Sequence, residues 1–176
     1  AYAVREAEKK IQNMLLEHTS LHLYIQRNTH PAFYEAKKSE KIQKDFYSPE
    51  LLSSSFMIRN MHQYYNEERE KAGLPKWYYR LASRSPRNPV NKADAFESEL
   101  IEKFNSNSEM KEYKAVMEKD GQRYLYYALP FLRTGKACLK CHGSPDDAPK
   151  ELVERYGEDA GGFFEKDGVV RAIISV

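Results

Sequence analysis

A chain of 176 residues is long enough for one domain with a real core. Its net charge of +2, on 31% charged residues, provides no basic stripe for a polyanion, so charge-driven nucleic-acid binding is excluded. No apolar run reaches the roughly 18 residues that span a bilayer, and no signal peptide is present.

Residues 3 to about 28 read as one amphipathic helix, with Val4, Ala7, Ile11, Met14, Leu15, His18, Leu21 and Ile25 recurring at threes and fours. Val4, Ile11, His18 and Ile25 also stand seven apart, as on a coiled-coil seam. Two readings fit: a helix packed on its own domain, or a signalling helix over residues 1–30 that continues a transmembrane segment and pairs with its twin in a homodimer. The domain proper is then expected over 31–176. His30-Pro31 predicts a helix break, because proline disfavours helical geometry at the residue before it. A second helix is expected from Phe33 to Phe46. A third, after Pro49, is expected from Leu51 to about Ala72, stopped by Gly73-Leu74-Pro75.

Trp77 to Ala82 is aromatic and β-prone. Ser83 to Asn91 is a loop dense in Pro, Asn and Ser. Asp94 with Glu97 forms a capping box for a helix that buries Phe96, Leu100, Ile101 and Phe104. From Tyr113 the pattern switches to period two. Asp120-Gly121 predicts a hairpin between strands at Tyr113–Glu118 and Arg123–Pro130. Asp167-Gly168 predicts a second, between Phe163–Lys166 and Val169–Val176. Helices first and an antiparallel sheet of about five strands last make an α+β chain. Its ends fall inside a helical and a strand pattern, so an excised fragment of a longer protein is expected.

Between the hairpins stands Cys138-Leu139-Lys140-Cys141-His142, a C-x-x-C-H run. This spacing is the attachment signature of haem c: each thiol can add to one porphyrin vinyl group, and the histidine becomes the proximal iron ligand. A chance match in a chain this long is on the order of one in a thousand. These are the only two cysteines. A structural zinc site lacks its other two ligands, and a disulfide here closes too small a loop to stabilise much. One covalent haem c is therefore expected, and with it a periplasmic or other extracytoplasmic location, as part of an inner-membrane protein.

Several stretches together are similar to the c-type haem PAS-like sensor domains found outside the membrane in sensor histidine kinases, chemotaxis receptors and cyclic-dinucleotide enzymes. They are Leu81-Ala82-Ser83, Pro86-Arg87-Asn88-Pro89 with Asn91, then Asp94, Phe96 and Glu97. Next come the C-x-x-C-H-G run with Pro145 and Ala148-Pro149, then Tyr156-Gly157, Gly161-Gly162-Phe163 and Gly168-Val169-Val170. The resemblance covers most of residues 50 to 176. It implies a PAS-like sheet, haem held between the sheet and the helical part, and redox or diatomic-gas sensing passed on through the terminal helix.

A sixth iron ligand must be soft or imidazole-like. Met57 is the first candidate, in Phe56-Met57-Ile58-Arg59, where some members of the resembled family offer a methionine. Met61, His62, His30, His22 and His18 are the others, and water or an empty position is the remaining option. No third cysteine exists to serve. Haem propionates seek cations. Arg84 and Arg87 in the resembled loop are the expected partners, with Arg80 and Arg123 on adjacent strands. Tyr78, Tyr124, Tyr126 and Phe131 are expected pocket walls. The functional expectation is a sensor domain whose output module, a kinase or cyclase, lies outside the chain. The alternative is a monohaem electron-transfer cytochrome. No distal acid/base pair for an enzyme is identifiable.

Overall fold

A computed structural model describes residues 2–131, 133–159 and 161–176. The chain divides into two compact units, Ala1–Trp77 and Tyr78–Val176. The first holds the helix expected over residues 1–30 together with residues 31–77. No helix among the described residues is long and apolar enough to cross a membrane.

The first unit is helical. Helix α1 runs Tyr2–Tyr24, widens into a π-turn at Ile25–Thr29, and continues as α2, His30–Lys38. The break expected at His30-Pro31 is therefore replaced by a change of helical pitch. Proline lacks an N–H, and its ring crowds the carbonyl four residues back. Here the His30 N–H reaches back five residues to the Ile25 carbonyl, and the widened turn takes up the misfit. α2 also ends earlier than Phe46, at a turn where Glu40 has φ 57°. Phe46 still packs against Phe33, with ring centroids 5.9 Å apart. A short α3, Pro49–Leu52, precedes α4, Ser54–Lys71, whose cap is the Ser53 hydroxyl accepting from the Phe56 N–H at 3.3 Å. Gly73, at φ 69°, turns the chain away after α4 as expected. Ile11, Leu15, His18 and Ile25 of the α1–π segment are buried, as are Ile58 and His62 of α4. Of the four seam positions only Val4 is exposed.

The second unit is a four-stranded antiparallel sheet with helix α5, Ala95–Ser106, packed on one face. The strands are β1 (Arg80–Ser83), β2 (Tyr113–Lys119), β3 (Gln122–Pro130) and β4 (Ala172–Ser175), in the order β1-β4-β3-β2. The capping box is present: Asp94 Oδ1 accepts from the Glu97 N–H at 2.8 Å, and Glu97 Oε2 accepts from the Asp94 N–H at 2.9 Å. Arg80 pairs with the buried Glu97 at 2.7 Å. Leu100, Ile101 and Phe104 fill the space over Ala82, Ala128 and Ile173, all at most 1% exposed.

The expected sheet of about five strands is thus four among the described residues, because the second hairpin does not form a ladder. Its first arm donates elsewhere: the Phe164 N–H to the Gly143 carbonyl and the Glu165 N–H to the His142 carbonyl, both at 2.9 Å. Its second arm starts late. Both backbone groups of Val170 are taken by the Asn105 side chain, at 2.9 and 2.7 Å, so pairing begins only at Ala172.

Candidate functional site

The two cysteines and His142 lie on two consecutive short turns. Lys136–Cys138 is a 3-10 turn, and α6, Leu139–His142, continues it. Neither thiol is in a disulfide, and both are half-buried. Gly143 ends α6 by necessity, since a Cβ there would lie 2.6 Å from the Leu139 carbonyl oxygen.

His142 is oriented by one strong bond. Its Nδ1 is 2.7 Å from the Gly162 carbonyl oxygen. A carbonyl only accepts, so Nδ1 carries the proton and Nε2 keeps its lone pair. Burial, then the positive charges of Arg171 and Arg87, push the imidazole pKa down to about 3. The ring is therefore neutral at any ordinary pH, the form that can coordinate a metal. Arg171 Nη1 stands 3.4 Å from Nδ1, a contact beside a nitrogen whose proton is already committed.

Arg87 closes the loops around this ring. Its Nη2 donates to the Cys141 carbonyl at 2.6 Å and to the Gly162 carbonyl at 3.1 Å. Its guanidinium stacks over Phe163 at 4.6 Å and Tyr156 at 5.7 Å. Gly161 lets these loops meet: a Cβ there would lie 2.3 Å from the Pro86 carbonyl oxygen. The Pro86–Pro89 loop, the C-x-x-C-H turn and the Gly161-Gly162-Phe163 segment are separate in sequence. Here they form one cradle.

Arg84 is placed differently. It is half-exposed on an ion pair with Glu102 of α5 at 2.9 Å, not in the cradle. Tyr126 packs with Phe96 and Tyr113 on the α5 face, while Tyr78 and Tyr124 are exposed. Phe131 is buried beside Arg171, whose guanidinium lies 6.0 Å from its ring. Arg171 is the functional candidate the sequence reading missed. Burial lowers its pKa, with the Glu165 carboxylate acting the other way. Burial likewise raises the Glu165 carboxyl, with Arg171 and Arg87 acting the other way. Both flank the Asp167-Gly168 turn. An arginine and a glutamate there read as solvated hairpin residues, and only the diverted backbone bonds turn them inward.

The remaining candidate ligands belong to the first unit. Met57 is half-buried on α4 and Met61 is 41% exposed. His62 is buried edge-on against His18, centroids 5.1 Å apart. His22 Nδ1 is 2.7 Å from the Ser54 hydroxyl. His30 Nε2 donates to the Leu52 carbonyl at 2.8 Å, which occupies that nitrogen. Among the described residues no group of three His, Cys, Asp or Glu side chains is arranged to hold a metal ion.

A sequence model of the family described as Tll0287-like matches residues 1–176. The crystal structure of the cyanobacterial heme-protein Tll0287 is similar, with a TM-score of 0.62 over 97% of this chain and 92% of that one, at 14% identity. A likeness at that identity is one of fold. No curated protein matches the chain.

Proposed function

Since the chain belongs to the Tll0287-like family, we propose that it binds one haem c and serves as the extracytoplasmic sensor domain of a membrane-anchored signalling protein. The observation that carries the reading is the His142 imidazole, fixed through Nδ1 on the Gly162 carbonyl, with no hydrogen-bond partner at Nε2 among the described residues, directly after two thiols outside any disulfide. That donor set fits the group: Cys138 and Cys141 would hold it by thioether bonds, and His142 would be its proximal ligand. The structurally similar cyanobacterial protein is a heme-protein, which agrees. When bound, haem supplies one-electron redox chemistry and an iron that can take a diatomic gas.

The chain's own residues do the rest. The Gly162 carbonyl holds the tautomer and raises the basicity of Nε2, as an acceptor on the far nitrogen does for ligating histidines. Arg87 fixes the motif turn to the segment carrying that acceptor. Arg171 supplies positive charge beside the ring, which favours the reduced, more electron-rich state and offers a partner to a propionate. Arg87 spends its guanidinium on backbone carbonyls, and Arg84 sits with Glu102, so Arg171 takes the propionate role first expected of those two. A PAS-like architecture is part of the proposal. So is Met57 as sixth ligand, since His30 and His22 are engaged by partners of their own and His62 is packed on His18.

The test is protein made with a c-type maturation system, examined by intact mass and by absorption with and without carbon monoxide. A mass gain of one haem is expected, lost in Cys138→Ala/Cys141→Ala. Carbon monoxide binding to the ferrous form supports a labile sixth position and sensing. A gas-indifferent low-spin spectrum favours electron transfer instead. Absence of covalent haem overturns the reading.

A further inference from the structure

The sheet order β1-β4-β3-β2 leaves two edges. The outer edge of β1 is closed, because Ser83 bridges Lys92 and its carbonyl accepts from the Ala93 N–H at 2.8 Å. Among the described residues no strand pairs with the outer edge of β2, a seven-residue strand. An open edge of that length is a template for another strand.

The hairpin geometry says which groups it offers. Asp120 and Gly121, both at positive φ, form a two-residue turn between Lys119 and Gln122. In such a hairpin the flanking residues are a hydrogen-bonded pair, and every second pair after it is too. So residues 113, 115, 117 and 119 direct their backbone groups at β3. Lys114, Val116 and Glu118 direct theirs outward. The far side agrees, since Tyr127, opposite Lys114, exchanges its hydrogen bonds with Val176 instead. Lys114, Val116 and Glu118 also share one face of the pleat, and all three are exposed, Val116 by 55%.

We propose that β2 pairs antiparallel with β2 of a second copy of this chain, on a two-fold axis at Val116. This register sets Val116 opposite Val116 and Lys114 opposite Glu118, twice by symmetry. All six N–H and C=O pairs of residues 114, 116 and 118 then close, and the side chain at each of these positions meets an apolar or an oppositely charged neighbour. Ala115 faces Met117 of the second copy on the other side of the pleat. Other registers fail. Centring on Lys114 or Glu118 sets like charges opposite. A shift by two residues sets Val116 opposite a charge, Lys114 one way and Glu118 the other, and leaves Glu118 or Lys114 without its opposite charge within the strand. Lys114 is already 2.8 Å from Glu112, and its three N–H donors allow it to keep that contact while taking a second carboxylate. A lone edge lysine blocks pairing. The reciprocal Lys114 and Glu118 spacing favours it in one register only.

The test is the mass in solution of the full haem-loaded chain by light scattering and sedimentation. A dimer is expected. Val116→Pro removes an outward N–H that the β2–β3 ladder does not use, and is expected to raise the dissociation constant roughly tenfold or more. Lys114→Glu and Glu118→Lys are each expected to be monomeric alone, since each sets like charges opposite. Mixed in equal amounts they are expected to form a heterodimer, because both cross-strand pairs are then restored. A monomeric wild-type chain, a dimer unmoved by Val116→Pro, or no association on mixing overturns the proposal.

Discussion

Histidines occur at two places in this molecule, and what their second nitrogen does separates them. In the second unit, His142 has Nδ1 committed to a carbonyl and, among the described residues, no hydrogen-bond partner at Nε2. In the first unit, His18 and His62 are buried ring against ring, and His30 spends Nε2 on a carbonyl. One arrangement aims an imidazole, while the other uses it as packing volume. Residue type alone ranks all five histidines together as ligands. The local acceptor makes the distinction.

Removing the aimed ring tests this most severely. His142→Ala is expected to leave the thioether bonds intact while abolishing the proximal ligand, so the ferric spectrum of matured protein moves out of any histidine-ligated low-spin form. His62→Phe is expected to leave that spectrum unchanged. A spectrum that follows His62 rather than His142 reverses the comparison.

The cradle itself is the next target. Gly161→Ala forces a Cβ to within 2.3 Å of the Pro86 carbonyl oxygen, and rigid backbone lies on both sides. A loss of roughly 2–3 kcal/mol is expected in urea unfolding, as for other overpacked sites. Arg87→Ala removes two charge-assisted bonds to carbonyls and a stacked guanidinium, an expected loss of roughly 2 kcal/mol. Arg87→Lys is expected to recover little, because an ammonium neither forks nor stacks in the same way. Full recovery by lysine would mean that charge alone closes the loops.

How much of this was legible beforehand follows the same division. The C-x-x-C-H run, the Asp94–Glu97 capping box and the first hairpin are local, with partners within a few residues, and they read directly from spacing. The second hairpin looked equally local, with Asp167-Gly168 in the right place. It failed because distant groups outbid the ladder: Asn105 for Val170, and the His142 and Gly143 carbonyls for Glu165 and Phe164. Those diversions build the cradle, so the point where the local pattern misleads is also where the candidate site is made. Arg171 stayed hidden for this reason. Arg84 looked equivalent to Arg87 three residues away, and only the loop's path separates a surface ion pair from a cradle residue. Pro31 misled for another reason, since a wider helical turn can absorb a missing donor.

The smallest effect expected comes from the packed pair, and its sign can be worked out. Burial, then the charge of His18, push the His62 pKa down to about 4 from the ordinary 6.5. Burial lowers His18 as well. The unfolded chain therefore binds protons more readily than the folded one between about pH 4 and 6.5, so stability is full above that window and falls as pH drops through it. His142, pushed down to about 3 in the haem-free protein, adds a slope of the same sign. The helical pair is isolated by comparing wild type with His62→Phe across pH 4 to 7, following helix loss in urea. The variant is expected to lose part of the slope and keep the part that belongs to His142. If the slope of His62→Phe equals that of the wild type, the packed pair does not titrate as its burial requires, and the contrast between the two histidine sites collapses.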